Sequence, residues 1–157
     1  MKIFDFFKKK ETKKIEYISD TEAKISFENW EYTGEIKNNL PHGFGMALIN
    51  DDSRYQGKFK DGMMHGFGIF IDRQGNEYKG DFKDGFFEGF GTLTNYDGSK
   101  YVGEYKSGKK HGPMRMWYNN GQLQKESIYR NGEVMTYSYG LRHEKCWDNS
   151  GNEIECK

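Results

Sequence analysis

Glycine recurs along this chain with a period of 23 residues. Gly34, Gly57, Gly80 and Gly103 form one column, and Gly43, Gly66, Gly89 and Gly112 form a second. Three shorter columns (Gly45, Gly68, Gly91; Gly62, Gly85, Gly108; Gly75, Gly98, Gly121) bring 17 of the 20 glycines onto one lattice. A fixed period of this size marks a repeat architecture, in which each unit leans on its neighbours. Units open at Tyr32, Tyr55, Tyr78 and Tyr101. Residues 15–31 read as a preceding half-unit. Residues 124–157 continue the pattern in degenerate form, with one residue inserted before Tyr129. Residues 1–14 stand apart as a basic and aromatic tail.

Each unit reads as two short strands. Tyr-x-Gly-x-Phe-x alternates with a period of two, which places Tyr and Phe on one face. Asp61-Gly62 and Asp84-Gly85 supply the turn inside a unit, and Gln74-Gly75, Asp97-Gly98 and Asn120-Gly121 the joint between units. Asp51-Asp52 fills that joint once without glycine and is expected to be its most strained instance. Only Ala23 and Ala47 are alanine, so propensity disfavours long helices. The expected fold is all-β: a single-layer, twisted antiparallel ribbon of about ten strands, roughly 45–50 Å long at ~4.8 Å per strand.

A two-residue loop at each joint sets a register. It opposes Phe90 to Tyr105, Phe67 to Phe82, Phe44 to Phe59, Ile71 to Tyr78 and Leu48 to Tyr55. Opposed residues share a face, so the aromatic columns are expected to converge on one face. Met46, Ile69 and Thr92 would cover Gly57, Gly80 and Gly103. The other face would carry Gln56, Lys58, Lys79, Asp81 and Glu104, with Phe70 and Leu93 as apolar exceptions.

The four tandem units resemble the MORN repeat, Tyr-x-Gly-x-Phe/Tyr-x-x-Gly-x-x-His-Gly-x-Gly, over residues 32–123. The departures are Asn39 for the turn glycine, Glu88 for histidine, and Pro113-Met114 in the fourth copy. The last segment resembles the variant MORN repeats of bacterial YwqK-type proteins, which carry an antitoxin-like label. The resemblance implies a single-layer curved sheet without a catalytic site. It implies a scaffold, dimerisation or partner-binding role, with membrane or phospholipid attachment in some members.

Composition narrows the function classes. Lys plus Arg and Asp plus Glu balance at 24 each, which argues against a nucleic-acid binder driven by bulk charge. No stretch approaches the ~18 apolar residues of a spanning helix. Met1–Lys14 lacks the apolar run of a secretory signal, so a cytoplasmic, bacterial-type setting is expected. In that setting Cys146 and Cys156 are expected to be thiols. A cross-strand disulfide at a hairpin end, and metal binding with His143, stand as the alternatives.

The candidate partner-binding groove is the aromatic stripe: Tyr55, Phe59, Phe67, Tyr78, Phe82, Phe90, Tyr101 and Tyr105. The expected partner is a protein or peptide, with self-association open. The candidate lipid contacts are Phe4, Phe6, Phe7, Lys8, Lys9 and Lys10 of the tail and the ladder Lys37, Lys60, Lys83 and Lys106. An aromatic and basic segment can meet an anionic bilayer surface weakly. An antitoxin-like partner of a toxin is a third reading. His42, His65 and His111, with Glu88 in the same column, stand roughly 10 Å apart, too far to share a zinc ion bound at ~2.0–2.1 Å. Packing or capping at the turn is their expected role. No cofactor, metal or catalytic residue is expected.

Overall fold

The computed structural model describes residues 12–49, 52–135 and 144–156. The strands are β1 (Thr12–Tyr17), β2 (Glu22–Phe27), β3 (Trp30–Lys37), β4 (Leu40–Ile49), β5 (Arg54–Lys60), β6 (Met63–Ile71) and β7 (Glu77–Lys83). They continue as β8 (Phe86–Thr94), β9 (Lys100–Lys106), β10 (Lys109–Trp117), β11 (Leu123–Arg130), β12 (Glu133–Val134), β13 (Glu144–Trp147) and β14 (Glu153–Ile154). Successive strands pair antiparallel in one open sheet of 14 strands. Near its end the order runs β10-β11-β13-β14, with β12 also on β11. The ribbon is thus longer than the ten strands expected, because both flanks of the repeat array extend it. β1 begins at Thr12, inside the segment read as a tail.

The turns within units follow the expected form. Asp61 and Gly62 have φ of 50° and 85°, and Asp84 and Gly85 have 50° and 86°. Positive φ at both central residues is the two-residue type I′ geometry. Asn38 and Asn39 adopt it without glycine, at 52° and 59°. These turns stack along one margin of the sheet. The Gly62, Gly85, Gly108 and Gly132 amides donate to the carbonyls of Pro41, Met64, Phe87 and Lys110 in the preceding unit, at 2.8–2.9 Å.

The joints between units differ from expectation. Asp72 N–H donates to the Asn76 carbonyl at 3.0 Å, so Arg73, Gln74 and Gly75 form a loop of three residues. Asn95 and Ser99, and Tyr118 and Gln122, close the equivalent loops at 2.9 Å. The third residue takes the left-handed φ, 87° at Gly75, as in a type I turn followed by a G1 bulge. At the first joint Asp52 takes it with φ of 68°. Asp51 lies outside the described residues.

One extra loop residue shifts the pairing by one, and a shift of one exchanges the faces. The observed pairs are Phe90 with Glu104, Leu93 with Tyr101, Phe67 with Asp81, Phe70 with Tyr78, Phe44 with Lys58 and Ala47 with Tyr55. The expected pairing of Phe44, Phe67 and Phe90 with Phe59, Phe82 and Tyr105 is therefore wrong. Phe70 and Leu93, expected as exceptions on the wet face, are core residues beside the tyrosines. Met46, Ile69 and Thr92 do not cover the glycines but pair with Gln56, Lys79 and Val102.

The glycines instead meet each other. Gly34, Gly45, Gly57, Gly68, Gly80, Gly91 and Gly103 are directly opposed in one row across seven strands. The row needs bare backbone because the tyrosine rings lie down on it. A Cβ on Gly57 would stand 2.6 Å from both the Gly68 Cα and the Tyr55 hydroxyl oxygen. The Tyr55 hydroxyl donates to the Lys58 carbonyl at 2.8 Å, and the Tyr32 hydroxyl donates to the Glu35 carbonyl at 2.5 Å. Between tyrosines stand phenylalanines, edge to face: Tyr32 to Phe59 at 4.9 Å, Phe59 to Tyr55 at 5.0 Å, Tyr55 to Phe82 at 4.9 Å and Phe82 to Tyr78 at 5.2 Å. A sheet without a second layer thus buries its aromatics in a ring ladder spread along its own inner face, with Tyr32, Tyr55 and Tyr78 fully covered. Burial drives the hydroxyl pKa of Tyr32, Tyr55, Tyr78 and Tyr105 well above the ordinary tyrosine value.

Candidate binding surface

The exchanged faces split the eight aromatic candidates. Tyr55, Phe59, Tyr78, Phe82 and Tyr105 belong to the buried ladder, and Tyr101 is half-buried. Phe67 and Phe90 point the other way and are 51% and 64% exposed. The outer face also exposes Phe44, Met46 and Leu48 on β4 and Ile128 on β11. Apolar side chains arrive on the even-numbered strands β4, β6 and β8. Polar and charged ones (Arg54, Gln56 and Lys58; Glu77, Lys79 and Asp81) arrive on the odd-numbered strands between them. The outer face is therefore striped rather than uniformly polar.

At β8–β13 this face folds into a cleft of about 590 Å³. Its outward side chains include Phe90, Val102, Pro113, Trp117 and Ile128, with Arg115, Glu126 and Lys145 around them. Arg115 Nε and Glu126 Oε1 pair at 2.7 Å across β10 and β11. None of Val102, Pro113, Trp117 or Ile128 was a candidate in the sequence. Their convergence depends on the register. The only local signal for it was the four-residue spacing of Asp72 and Asn76, and of Asn95 and Ser99, which close the three-residue loops.

The inner face changes character at the same end. Met114 stands opposite Gly103 where each preceding unit has glycine, and its sulfur would be 2.9 Å from a Cβ there. The fourth ring, Tyr101, instead carries the Lys110 ammonium 3.4 Å from its centroid. Burial, and secondarily the charge of Lys125, lower the Lys110 pKa to about 8. The ring face favours the charged form and opposes that shift. Lys125 is itself paired with the buried Glu144.

Two of the three histidines in the column cap turns. His42 Nδ1 accepts from the Asp61 amide at 3.5 Å, and His111 Nδ1 from the Asn131 amide at 3.5 Å. Glu88 fills the same place and accepts from the Ser107 amide at 2.8 Å. His65 Nδ1 accepts no hydrogen bond among the described residues and stands 3.7 Å from the Asp84 carboxylate, so the amide is capped in three of the four units, by histidine in two and by glutamate in one. The lysine ladder Lys37, Lys60, Lys83 and Lys106 is exposed beside these turns. The expectation of two thiols is corrected. Cys146 and Cys156 are disulfide-bonded with Cα atoms 5.3 Å apart, because the Asp148–Asn152 loop brings their strands together. Phe4, Phe6, Phe7, Lys8, Lys9, Lys10 and His143 lie outside the described residues.

The model of the MORN repeat matches residues 32–54, 55–77, 78–100 and 101–122, more than half of the chain. The chain belongs to the MORN repeat family. The four matched MORN units share the opening tyrosine and the glycine two residues after it, while the first turns through Asn38-Asn39 and the fourth sets Met114 opposite Gly103. MORN repeats serve as binding and scaffold modules and are generally non-catalytic. No curated protein sequence matches the chain. Residues 123–157 and the two N-terminal strands lie beyond the matched MORN units.

Proposed function

We propose that this chain is a non-catalytic binding module that holds an apolar segment of a protein partner on its outer face, over the last two MORN units. The observation that carries the reading is the cleft of about 590 Å³ walled by Phe90, Val102, Pro113, Trp117 and Ile128. A concave, mostly apolar site with a few convergent charges is the usual form of a ligand site. Aromatic anchors in such sites carry most of the binding energy. Phe67, one unit away on the same face, extends the apolar track. The buried candidates Tyr55, Phe59, Tyr78, Phe82 and Tyr105 act as the support on which this face is built.

Selection of a displayed random-peptide library on the immobilised chain tests the reading. Enriched peptides should carry two or three spaced large apolar residues. Phe90→Asp and Ile128→Asp should abolish their binding, while Lys60→Ala leaves it unchanged. Enrichment that survives Phe90→Asp overturns the proposal.

A second reading rests on the exposed row Lys37, Lys60, Lys83 and Lys106, which recurs every two strands along one margin. Such a row can meet an anionic surface, although Asp61 and Asp84 interrupt it. Co-sedimentation with anionic vesicles at low salt, with and without the four lysines changed to glutamine, separates it from the cleft.

A further inference from the structure

We infer that the outer face of β3–β5 is a self-association surface, on which a second copy of this chain docks about a twofold axis parallel to β4. This goes beyond the partner site over β8–β13, at the other end of the sheet.

The outer face of β4 presents Phe44, Met46 and Leu48 in succession, 59%, 43% and 49% exposed. Ile69 and Ile71 at the matching positions of β6 are only half-exposed, so β4 has the most open apolar stripe. Its neighbours carry opposite charge. β3 turns Glu31, Thr33 and Glu35 outward, and β5 turns Arg54, Gln56 and Lys58 outward. The register aligns these side chains in rows: Glu31, Leu48 and Arg54 in one, Thr33, Met46 and Gln56 in the next. Lys58 is directly opposed to Phe44, and the Glu35 carboxylate accepts the Phe44 amide at 2.9 Å, which closes the third row.

A twofold axis along β4 exchanges β3 and β5 between copies and keeps each row at its own height. Glu31 then faces Arg54 of the second copy, Thr33 faces Gln56 and Glu35 faces Lys58, while each β4 residue faces itself. An axis across the strands would set glutamates against glutamates. Isologous contacts require this kind of self-complementarity, and aligned face-to-face packing of sheets accommodates it.

Within one chain the opposite charges do not pair: the β4 stripe lies between them, with their strands roughly 10 Å apart. Glu31 bonds Lys24 at 3.1 Å on its other side. Arg54 and Lys58 have no carboxylate partner among the described residues. The Lys58 ammonium instead lies 5.5 Å from the Phe44 ring centroid. The nine central side chains are fewer than the roughly 20–30 residues a side of a stable interface. The association is therefore weak, with Kd on the order of 10–100 µM.

Sedimentation velocity on the full chain between about 5 and 500 µM tests it. The wild type should pass from monomer to dimer, less readily at high salt. Met46→Lys, at an exposed position that faces itself across the axis, should weaken association at least about tenfold. The pairs Glu31→Arg with Glu35→Arg, and Arg54→Glu with Lys58→Glu, should each be monomeric alone. Mixed one to one, they should form a heterodimer at least as readily as the wild type, because one copy then presents only cations and the other only carboxylates. A wild type that stays monomeric overturns the inference and leaves the stripe to another partner or to solvent. So does association unmoved by Met46→Lys, or failure of two folded inverted variants to associate. If an inverted pair does not fold, Met46→Lys decides alone.

Discussion

The ring of Tyr55 lies across Gly68 on the neighbouring strand, and its hydroxyl reaches past that glycine to the Lys58 carbonyl at 2.8 Å. This contact, repeated by Tyr32 over Gly45 and by Tyr78 over Gly91, makes glycine compulsory at positions that have no unusual backbone angle. Gly68→Ala should therefore cost about 2–3 kcal/mol, since a methyl group has to displace a fully packed ring. Gly151→Ala, with φ of 89° and open space around it, should cost about 1 kcal/mol through the backbone alone. Denaturant unfolding of the two variants gives the comparison.

The ring ladder predicts where aromatic truncation hurts. Phe82 is 2% exposed and stands edge to face with both Tyr55 and Tyr78. Phe82→Ala should lose about 3–5 kcal/mol. Tyr78→Ala should also act on folding first, because Tyr78 is fully covered and stacks on Phe87 at 3.6 Å. Phe67→Ala, on the outer face, should change stability by no more than about 0.5 kcal/mol. Equal losses at Phe67 and Phe82 would contradict the assignment of faces.

The turn-capping column is open to an exchange experiment. Glu88→Ala removes the acceptor of the Ser107 amide and should cost about 1 kcal/mol. Glu88→His should retain most of that stability, because His42 and His111 occupy the equivalent place in other units. Thermal melts of the two variants decide it.

Alkaline pH should act in two opposed stages. The folded-state pKa of Lys110 is lowered to about 8, against ~10.4 for an unfolded lysine. Between these values the unfolded chain binds more protons, so this group makes stability rise with pH. Lys110→Met should remove that rise. The pKa values of Tyr32, Tyr55, Tyr78 and Tyr105 are raised by burial. Their contribution is fully present below the unfolded value of ~10 and is lost as pH climbs above it. Midpoints of urea denaturation from pH 7 to 11 should rise and then fall steeply, with tyrosinate absorbance appearing together with unfolding.

Much of this molecule could be read from its residues. The 23-residue glycine lattice gave the repeat, the Tyr-x-Gly-x-Phe alternation gave strands, and Asp-Gly pairs located the turns inside units. Those are local signals, since turn chemistry and alternation depend on neighbours within a few positions. The place of the histidine column beside the turns was also legible from its spacing, but whether a given histidine packs or caps was not, since His42 and His111 accept from a turn amide and His65 does not. The candidate surface was not legible. Whether Phe90 meets Tyr105 or Glu104 turns on a single loop residue. Gln74-Gly75 is compatible both with a two-residue loop and with the last two positions of a three-residue one. Hydrogen bonding across the joint, from Asp72 to Asn76, selects the longer loop, and in a structure with period two that choice sends every following side chain to the other face.

The sequence by itself thus determined a MORN array, its strand composition, the positions of its turns and its tyrosine and glycine columns, because each is encoded within one unit. The tertiary structure decided which aromatics are support and which are surface. It also decided that the glycines form one continuous row beneath the rings, and that Val102, Pro113, Trp117 and Ile128 wall a cleft. These are relations between units, fixed by a register that no single unit contains.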